Sequence, residues 1–294
     1  MKAAAFEYSR PASLDEACAL LAADDGARLV AGGQTLVPLM AMRLARPSRL
    51  IDIARIPGLA YIRDDGHEIA IGATTKQCVV ENDEIVRTKL PLLAKVMPHV
   101  GHTPTRARGT IGGSIANADP AAEIVLVAVT LGATIAWREG GKDSEVDVSE
   151  FVIGPMVTSL PQAACLTAVR FPVWPERRAG VGFHKVNSRS SDFAFVSAAA
   201  QVTLDDDGRC ARVALGIGAA TAYPVRIDAD ALIGSRAEAQ RVHDVVDAAL
   251  ADVEAMDDLH ASAAYRKRAA RTLAARAVAD AYKDAHRTAH APRA

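Results

Sequence analysis

Apolar and polar positions recur along the chain at two periods, and each period selects an element. Ser13-Leu14-Asp15-Glu16 forms a capping box, in which the serine hydroxyl and the glutamate carboxylate each satisfy an orphan N–H at a helix start. Leu14, Ala17, Cys18 and Leu21 then follow at helical spacing. After the turn at Asp24-Asp25-Gly26, Arg28 to Ala31 reads as a short strand that runs directly into Gly32-Gly33. Leu50 to Ile53 and Glu68 to Ile71 alternate as strands, the second leading into Gly72-Ala73-Thr74-Thr75. A helix is predicted over Pro91 to Met97. The glycine-pair theme returns in Thr110-Ile111-Gly112-Gly113-Ser114, and Pro120 suits the first turn of the next helix. Ala121 to Leu131 is apolar almost all round, which predicts a buried helix that Gly132 ends before a strand from Ala133 to Trp137.

Near Pro172 and Pro175, followed by Glu176-Arg177-Arg178, the composition turns polar and proline-rich, marking a domain boundary. Beyond it, Val181 to Val186 and Val196 to Leu204 read as strands, the latter with Val196, Ala198, Ala200, Val202 and Leu204 on one face. Asp205 to Gly208 turns the chain into Arg212 to Ile217, a hairpin signal. Ala237 to Leu250 and Ser262 to Tyr282 have helical spacing. The expected organisation is α+β: a first domain over 1–175 with subdomains of about 1–55 and 56–175, a second over 176–285, and a flexible tail over 286–294.

Charge removes some function classes. The 34 Lys+Arg and 35 Asp+Glu leave a net charge of −1, against a dedicated nucleic-acid or anionic-membrane binder. Arg266, Lys267, Arg268, Arg271 and Arg276 form a basic run, but Asp252, Glu254, Asp257 and Asp258 precede it and cancel much of its field. The longest uncharged run, Phe151 to Val169, has the length of a membrane span yet contains Gly154, Pro155, Ser159, Pro161 and Gln162, so it reads as buried loop and strand. Glu7, Arg10 and Asp15 break any secretory signal, and a cytoplasmic location is expected. The four cysteines, Cys18, Cys78, Cys165 and Cys210, lie far apart with no Cys-x-x-Cys pair, so neither an iron–sulfur nor a zinc site is read from them. His99 and His102, flanked by Pro98, Gly101 and Pro104, do not make a regular ligand face.

The glycine pairs carry the chemistry. Ala31-Gly32-Gly33-Gln34-Thr35 follows a strand, where glycines let backbone N–H groups approach an anion; the plain alternative is a strand-to-helix turn. Neither pair fits G-x-G-x-x-G or a P-loop. Together they suggest two cradles for a pyrophosphate, with Asn117, Asp119 and Glu123 either binding the rest of a dinucleotide or capping helices. Lys185 is an isolated cation among apolar neighbours, a ligand contact or a surface lysine. No nucleophile elbow is present.

These residues resemble the FAD-binding medium subunit, or the equivalent middle domain, of the molybdenum hydroxylases, the family of carbon monoxide dehydrogenase and xanthine dehydrogenase. The resemblance is carried by AGGQTLVPLM (Ala31 to Met40), RLIDI (Arg49 to Ile53), IGATT (Ile71 to Thr75), RGTIGGSIANADPAAE (Arg108 to Glu123), FHKVNSRSSDFA (Phe183 to Ala194) and DLHASAAYRKRAA (Asp258 to Ala270). It runs from Phe6 to about Tyr282 and implies a PCMH-type FAD-binding domain of two α+β subdomains, followed by a smaller α+β domain. By resemblance, non-covalent FAD is expected on Ala31, Gly32, Gly33, Gln34, Thr35 and Leu36 and on Thr110, Ile111, Gly112, Gly113 and Ser114. Thr75, Asn117, Glu123, the Leu166 backbone and Lys185 are implied as further contacts, Lys185 beside the isoalloxazine ring. Glu123 stands where the family often has Asp, and Phe183 where one branch has Tyr.

The resemblance also implies partners: a molybdopterin-carrying large subunit, a small subunit with two [2Fe–2S] clusters, and an external electron acceptor, assembled as a dimer of heterotrimers. The chain itself is then expected to pass electrons rather than to oxidise the organic substrate. A stand-alone flavin oxidase or reductase, and a scaffold that has lost FAD, are the rival expectations.

Overall fold

A computed structural model describes residues 2–176 and 178–288. The N-terminal segment folds as β1 (Glu7–Ser9), α1 (Leu14–Ala22), β2 (Arg28–Val30), α2 (Leu36–Ala41) and β3 (Arg49–Asp52), its strands forming a parallel sheet of order β1-β3-β2. At α1 the serine half of the capping box forms, Ser13 Oγ accepting the Glu16 N–H at 3.2 Å, while the Glu16 carboxylate accepts the Ala12 N–H, one residue before the cap. Ala17, Cys18 and Leu21 are the face it buries. Each fully buried side chain of Leu or Ile size contributes about 1.5–3 kcal/mol over its exposed state.

The middle of the chain contains β4 (Ile62–Asp64), β5 (Glu68–Gly72), the short helices α3 (Gln77–Asn82), α4 (Glu84–Lys89), α5 (Pro91–Val96), α6 (Thr103–Arg106) and α7 (Ile111–Asn117), then α8 (Glu123–Leu131). It continues through β6 (Thr134–Glu139), β7 (Lys142–Asp147), α9 (Val148–Phe151), the hairpin β8 (Val152–Gly154) and β9 (Val157–Thr158), and β10 (Cys165–Pro172). Five strands make an antiparallel sheet of order β4-β5-β10-β6-β7. The third sheet, also antiparallel, is β11 (Ala179–Val186), β12 (Val196–Leu204), β13 (Cys210–Gly218) and β14 (Val225–Ile227), followed by α10 (Ala239–Ala249) and α11 (Ala263–Thr288). The architecture is α+β, as expected, and no helix among the described residues is long and apolar enough to cross a membrane.

The position of α8 decides how the parts join. All nine of its residues are buried, because one side packs in the core of the five-stranded sheet and another lies on β12, β13 and β14. Close approach is possible because β13 carries Gly216, where a Cβ would stand 2.0 Å from Thr130 Oγ1. The opposite face of the same sheet is covered by α10 and α11, and a Cβ on Gly182 of β11 would meet the Ala277 carbonyl at 2.0 Å.

The structure corrects several sequence expectations. β12 is buried at every position, not on one face, because helices cover both sides of its sheet. Residues 111–117 form a helix rather than an open glycine loop, and Pro120 lies in the turn before α8 rather than in its first turn. Phe151 to Val169 is not buried throughout, since Ile153, Met156 and Val157 of the hairpin are exposed. The last helix runs to Thr288, so 286–288 are helical; the rest of the expected tail, 289–294, lies outside the described residues.

Candidate functional site

The first glycine pair sits in the turn between β2 and α2. Gly33 has φ +69°, a left-handed conformation that glycine adopts without a Cβ penalty. Among the described residues no acceptor meets the main-chain N–H of Gly32, Gly33, Gln34, Thr35 or Leu36, while the Gln34 side chain folds back onto the Gly32 carbonyl at 3.1 Å. Thr35 is the N-cap of α2 yet makes no capping bond with its side chain. Consecutive free donors of this kind form a concavity for an anion.

Gly32 also ties this turn to the second glycine segment. A Cβ there would stand 2.2 Å from the Arg108 carbonyl and 2.8 Å from the Gly109 Cα, so the two backbones touch. The second segment differs from the first in what it offers. Thr110 caps α7 by accepting the Gly113 N–H at 3.1 Å, and Ile111, Gly112 and Ser114 donate to the carbonyls of Thr75, Ala73 and Thr110. Four of its five main-chain donors are therefore already bonded within the chain, the Thr110 N–H alone meeting no acceptor among the described residues. What remains open is the exposed flank of Gly113, the half-buried Ser114 and Asn117, the last residue of the helix. Gly112 serves packing, since a Cβ there would meet the Ala73 Cα at 2.6 Å.

Thr75 is spent locally: its hydroxyl accepts the Tyr61 N–H and donates to the Tyr61 carbonyl, both at 3.0 Å, and its carbonyl holds the Ile111 N–H. Its neighbour Thr74 is buried with Oγ1 unpartnered among the described residues. Leu166 is buried in β10 beside a register shift between Leu166 and Ala168, and Thr167 accepts the Ala73 N–H.

At the other end of α7 the chain passes through Asp119 and Pro120 to Glu123. Lys185 of β11 is not a surface lysine: its ammonium donates to Glu123 Oε1 at 2.9 Å, to the His99 carbonyl at 3.0 Å and to the Asp192 carbonyl at 3.3 Å. The two side chains are 8% and 7% exposed. Burial raises the Glu123 carboxyl above its ordinary pKa, and the hydrogen bond and charge of Lys185 oppose that shift. Burial likewise raises Asp119, which accepts the Ala121 N–H. It lowers the imidazole of His99, an effect that the charge of Lys185 reinforces, and His99 packs on Phe183 with ring centroids 5.0 Å apart.

Thus the structure brings the first glycine turn, at Gly32, against Arg108-Gly109 and joins Lys185 to Glu123. It separates those expected residues that keep free polar groups from those, like Thr75, that brace the turn. Sequence reasoning missed the Arg108 carbonyl, Thr74 and Phe193, which is 68% exposed beside the Asp192 carbonyl that Lys185 reaches. Only Phe193 had a signal, an aromatic residue in a polar loop.

Comparison with known proteins finds two family matches along the chain. Residues 4–174 match the family described as FAD binding domain in molybdopterin dehydrogenase, and residues 182–281 match the CO dehydrogenase flavoprotein C-terminal domain. Subunit alpha of the 6-hydroxypseudooxynicotine dehydrogenase complex of Paenarthrobacter nicotinovorans is 36% identical, covering 98% of each chain. The nicotine 6-hydroxylase medium subunit of the same organism is 33% identical over 96% of this chain and 99% of its own. Among solved structures, carbon monoxide dehydrogenase from Hydrogenophaga pseudoflava superposes with a TM-score of 0.92 at 31% identity, covering 97% of this chain and 99% of that one. Both halves of the sequence and the whole fold therefore lead to one conclusion: this chain belongs to the family of FAD-binding flavoproteins of the molybdopterin dehydrogenases.

Proposed function

We propose that the chain is the electron-transferring FAD subunit of a molybdenum-containing hydroxylase complex. Electrons reach it from the [2Fe–2S] clusters of a small partner subunit, fed by a molybdopterin-carrying large subunit, and leave to an external acceptor. The observation that carries the reading is the run of free donors from Gly32 to Leu36, closed on one side by the Arg108 carbonyl. Such a nest suits the oxygens of a pyrophosphate, which the positive N-terminal end of α2 also favours.

When bound, FAD supplies the redox chemistry, accepting electrons and releasing them to a second partner. The chain's own residues bind and orient it. The Ala31 to Leu36 turn holds the pyrophosphate through main-chain N–H groups. The Gly113 flank, Ser114 and Asn117 of α7 are assigned as further contacts, with the Leu166 backbone toward the flavin. Thr75 acts by fixing Tyr61 and Ile111. Lys185, its three donors taken by Glu123 and the His99 and Asp192 carbonyls, closes the far end of the site as one half of an ion pair. We further assign residues 1–175 to the FAD-binding part, with subdomains meeting near 55, and 176–285 to the C-terminal part. The four free thiols support a reducing, cytoplasmic setting, and a dimer of heterotrimers is the proposed assembly.

The test is an absorption spectrum of the purified chain before and after acid precipitation. A flavin spectrum with FAD in the supernatant is expected, together with molybdenum and iron in partners that co-purify with the chain from its host. A colourless chain that also fails to take up added FAD overturns the reading. Oxidation of an organic substrate by the FAD-loaded chain alone replaces it with a stand-alone flavin oxidase.

A further inference from the structure

The segment Asp258 to Ala270 takes no part in the site described above, yet it holds the most heavily bonded buried side chain of the C-terminal half. Arg266, on α11, is 3% exposed at its side chain. One nitrogen, Nη1, donates to the carbonyls of Phe195 and of Ala219, the latter at 2.6 Å. Nη2 donates to Asp258 Oδ2 at 2.6 Å, and Nε to the Ala261 carbonyl at 3.4 Å. The planar fork of a guanidinium thus ties three separate loops to one point. Asp258 answers it with a carboxyl held down to about 2, chiefly by the hydrogen bond from Arg266.

Two of those loops lead directly to the candidate site. The Phe195 N–H donates to the Val186 carbonyl at 2.7 Å, closing the 187–195 loop. Within it the Asp192 carbonyl accepts both Lys185 Nζ and, at 3.2 Å, Asn187 Nδ2. Ala219, left-handed with φ +60°, donates its N–H to the Pro120 carbonyl at 2.8 Å, and Pro120 lies between Asn117 and Glu123. The third loop locks the arrangement. Met256 donates to the Ala220 carbonyl, and the His260 ring stacks on Phe195 at 6.0 Å with 15° between planes.

We propose that Arg266 is a positioning residue for FAD binding, a fork behind the site that fixes the 187–195 loop and the Ala219–Pro120 contact and so sets the Lys185–Glu123 end. The inference rests on the FAD reading given above. Lysine cannot replace it, because one ammonium cannot reach four acceptors on three segments.

The experiment uses the full chain and compares Arg266→Met, the milder Asp258→Asn and Val246→Ala. Val246 is buried in the same C-terminal core, on α10. FAD affinity is read by fluorescence titration, the setting of the flavin by its visible circular dichroism, and stability by thermal unfolding of the apo chain. Arg266→Met is expected to weaken FAD binding by about five- to a hundredfold and to alter the visible dichroism, the range usual for coupling between distinct sites. Asp258→Asn should shift both in the same direction by less, and it serves alone if Arg266→Met does not fold. Val246→Ala should lower the unfolding temperature and leave affinity and dichroism as in the wild type. Wild-type affinity and dichroism in the Arg266 and Asp258 variants overturn the inference. So does an equal loss of affinity in Val246→Ala at an equal loss of stability, which reduces Arg266 to a structural role. A wild-type chain that binds no FAD is the separate result that sinks the FAD reading itself.

Discussion

Lys185 and Glu123 face each other across 2.9 Å at the junction of the five-stranded and four-stranded sheets, one from β11 and the other from the first residue of α8. Removing one member of a buried pair strands the other. Lys185→Met is expected to cost about 3 kcal/mol at neutral pH, the lower end for breaking such a pair. The sign of its pH dependence follows from Glu123, whose carboxyl burial already raises and which loses the opposing cation in the variant. A group with a raised folded-state pKa binds more protons folded than unfolded, so the variant is most stable below the ordinary glutamate value and loses stability as pH rises. Urea unfolding at a series of pH values should show the deficit growing from pH 5 to pH 8; a constant deficit would contradict the buried carboxylate.

The two glycine segments should respond differently to one added carbon. In Gly32→Ala the new Cβ meets backbone at 2.2 Å, so the expected result is weaker FAD binding together with a stability loss of about 1–3 kcal/mol. In Gly113→Ala it meets only Thr110 Oγ1 at 2.8 Å on an exposed helical flank, where alanine favours helix by about 1 kcal/mol. Because that hydroxyl also caps α7, strain on the cap offsets the helix gain, so the variant should keep apo stability within about 1 kcal/mol and bind FAD at least about tenfold more weakly, a loss of about 1.4 kcal/mol. Isothermal titration with FAD and thermal melts of the apo chain decide both, and unchanged affinity in Gly113→Ala removes that flank from the site.

Thiol chemistry offers a simpler check of the packing. Cys18, Cys165 and Cys210 are buried, and burial raises all three thiols, Cys165 to about 12 and Cys210 to about 11. The thiolate is the reactive form, so these side chains should be inert in the native chain near pH 8. Cys78 is half-buried. Titration with a chromogenic disulfide should release one rapid equivalent from Cys78 and the other three only after denaturation.

A size exchange tests the seat of α8 on β13. Gly216→Ala drives a Cβ into Thr130 Oγ1 at 2.0 Å and should cost about 2 kcal/mol. Thr130→Ala vacates that position while removing the hydroxyl that donates to the Leu126 carbonyl at 2.7 Å. The double variant should be more stable than the sum of the two single losses by about 1 kcal/mol, as expected for residues in contact. Additive losses in urea unfolding would place the helix elsewhere.

What the sequence revealed and what it hid divide by range. The α1 cap was legible because Ser13 and Glu16 act within one turn. Gly32 was legible as a glycine that mattered, but its reason, the Arg108 carbonyl, lies 76 positions away in the chain, and no local pattern contains it. Thr110 to Ser114 looked like a second copy of the first turn, since glycine pairs with flanking hydroxyls are alike in sequence. Their main-chain partners differ, and those come from the turn after β5. Lys185 was open between surface and site because its three acceptors come from three separate stretches of chain. Arg266 was hidden for the opposite reason: it sat in a basic run whose charges suggested a solvated face, and only the folded loops distinguish it from Lys267 and Arg268.

The burial of α8 on all sides reaches beyond stability to inheritance. A helix with no solvent face belongs to neither neighbour alone: Leu126 lies against Gly216 and Gly218 of one sheet while the same helix completes the core of the other. A gene encoding only the first 175 residues would yield a chain with an uncovered apolar flank, prone to stick to its own copies. The two halves can change their loops independently, but they cannot be shuffled apart without new residues to cover that helix.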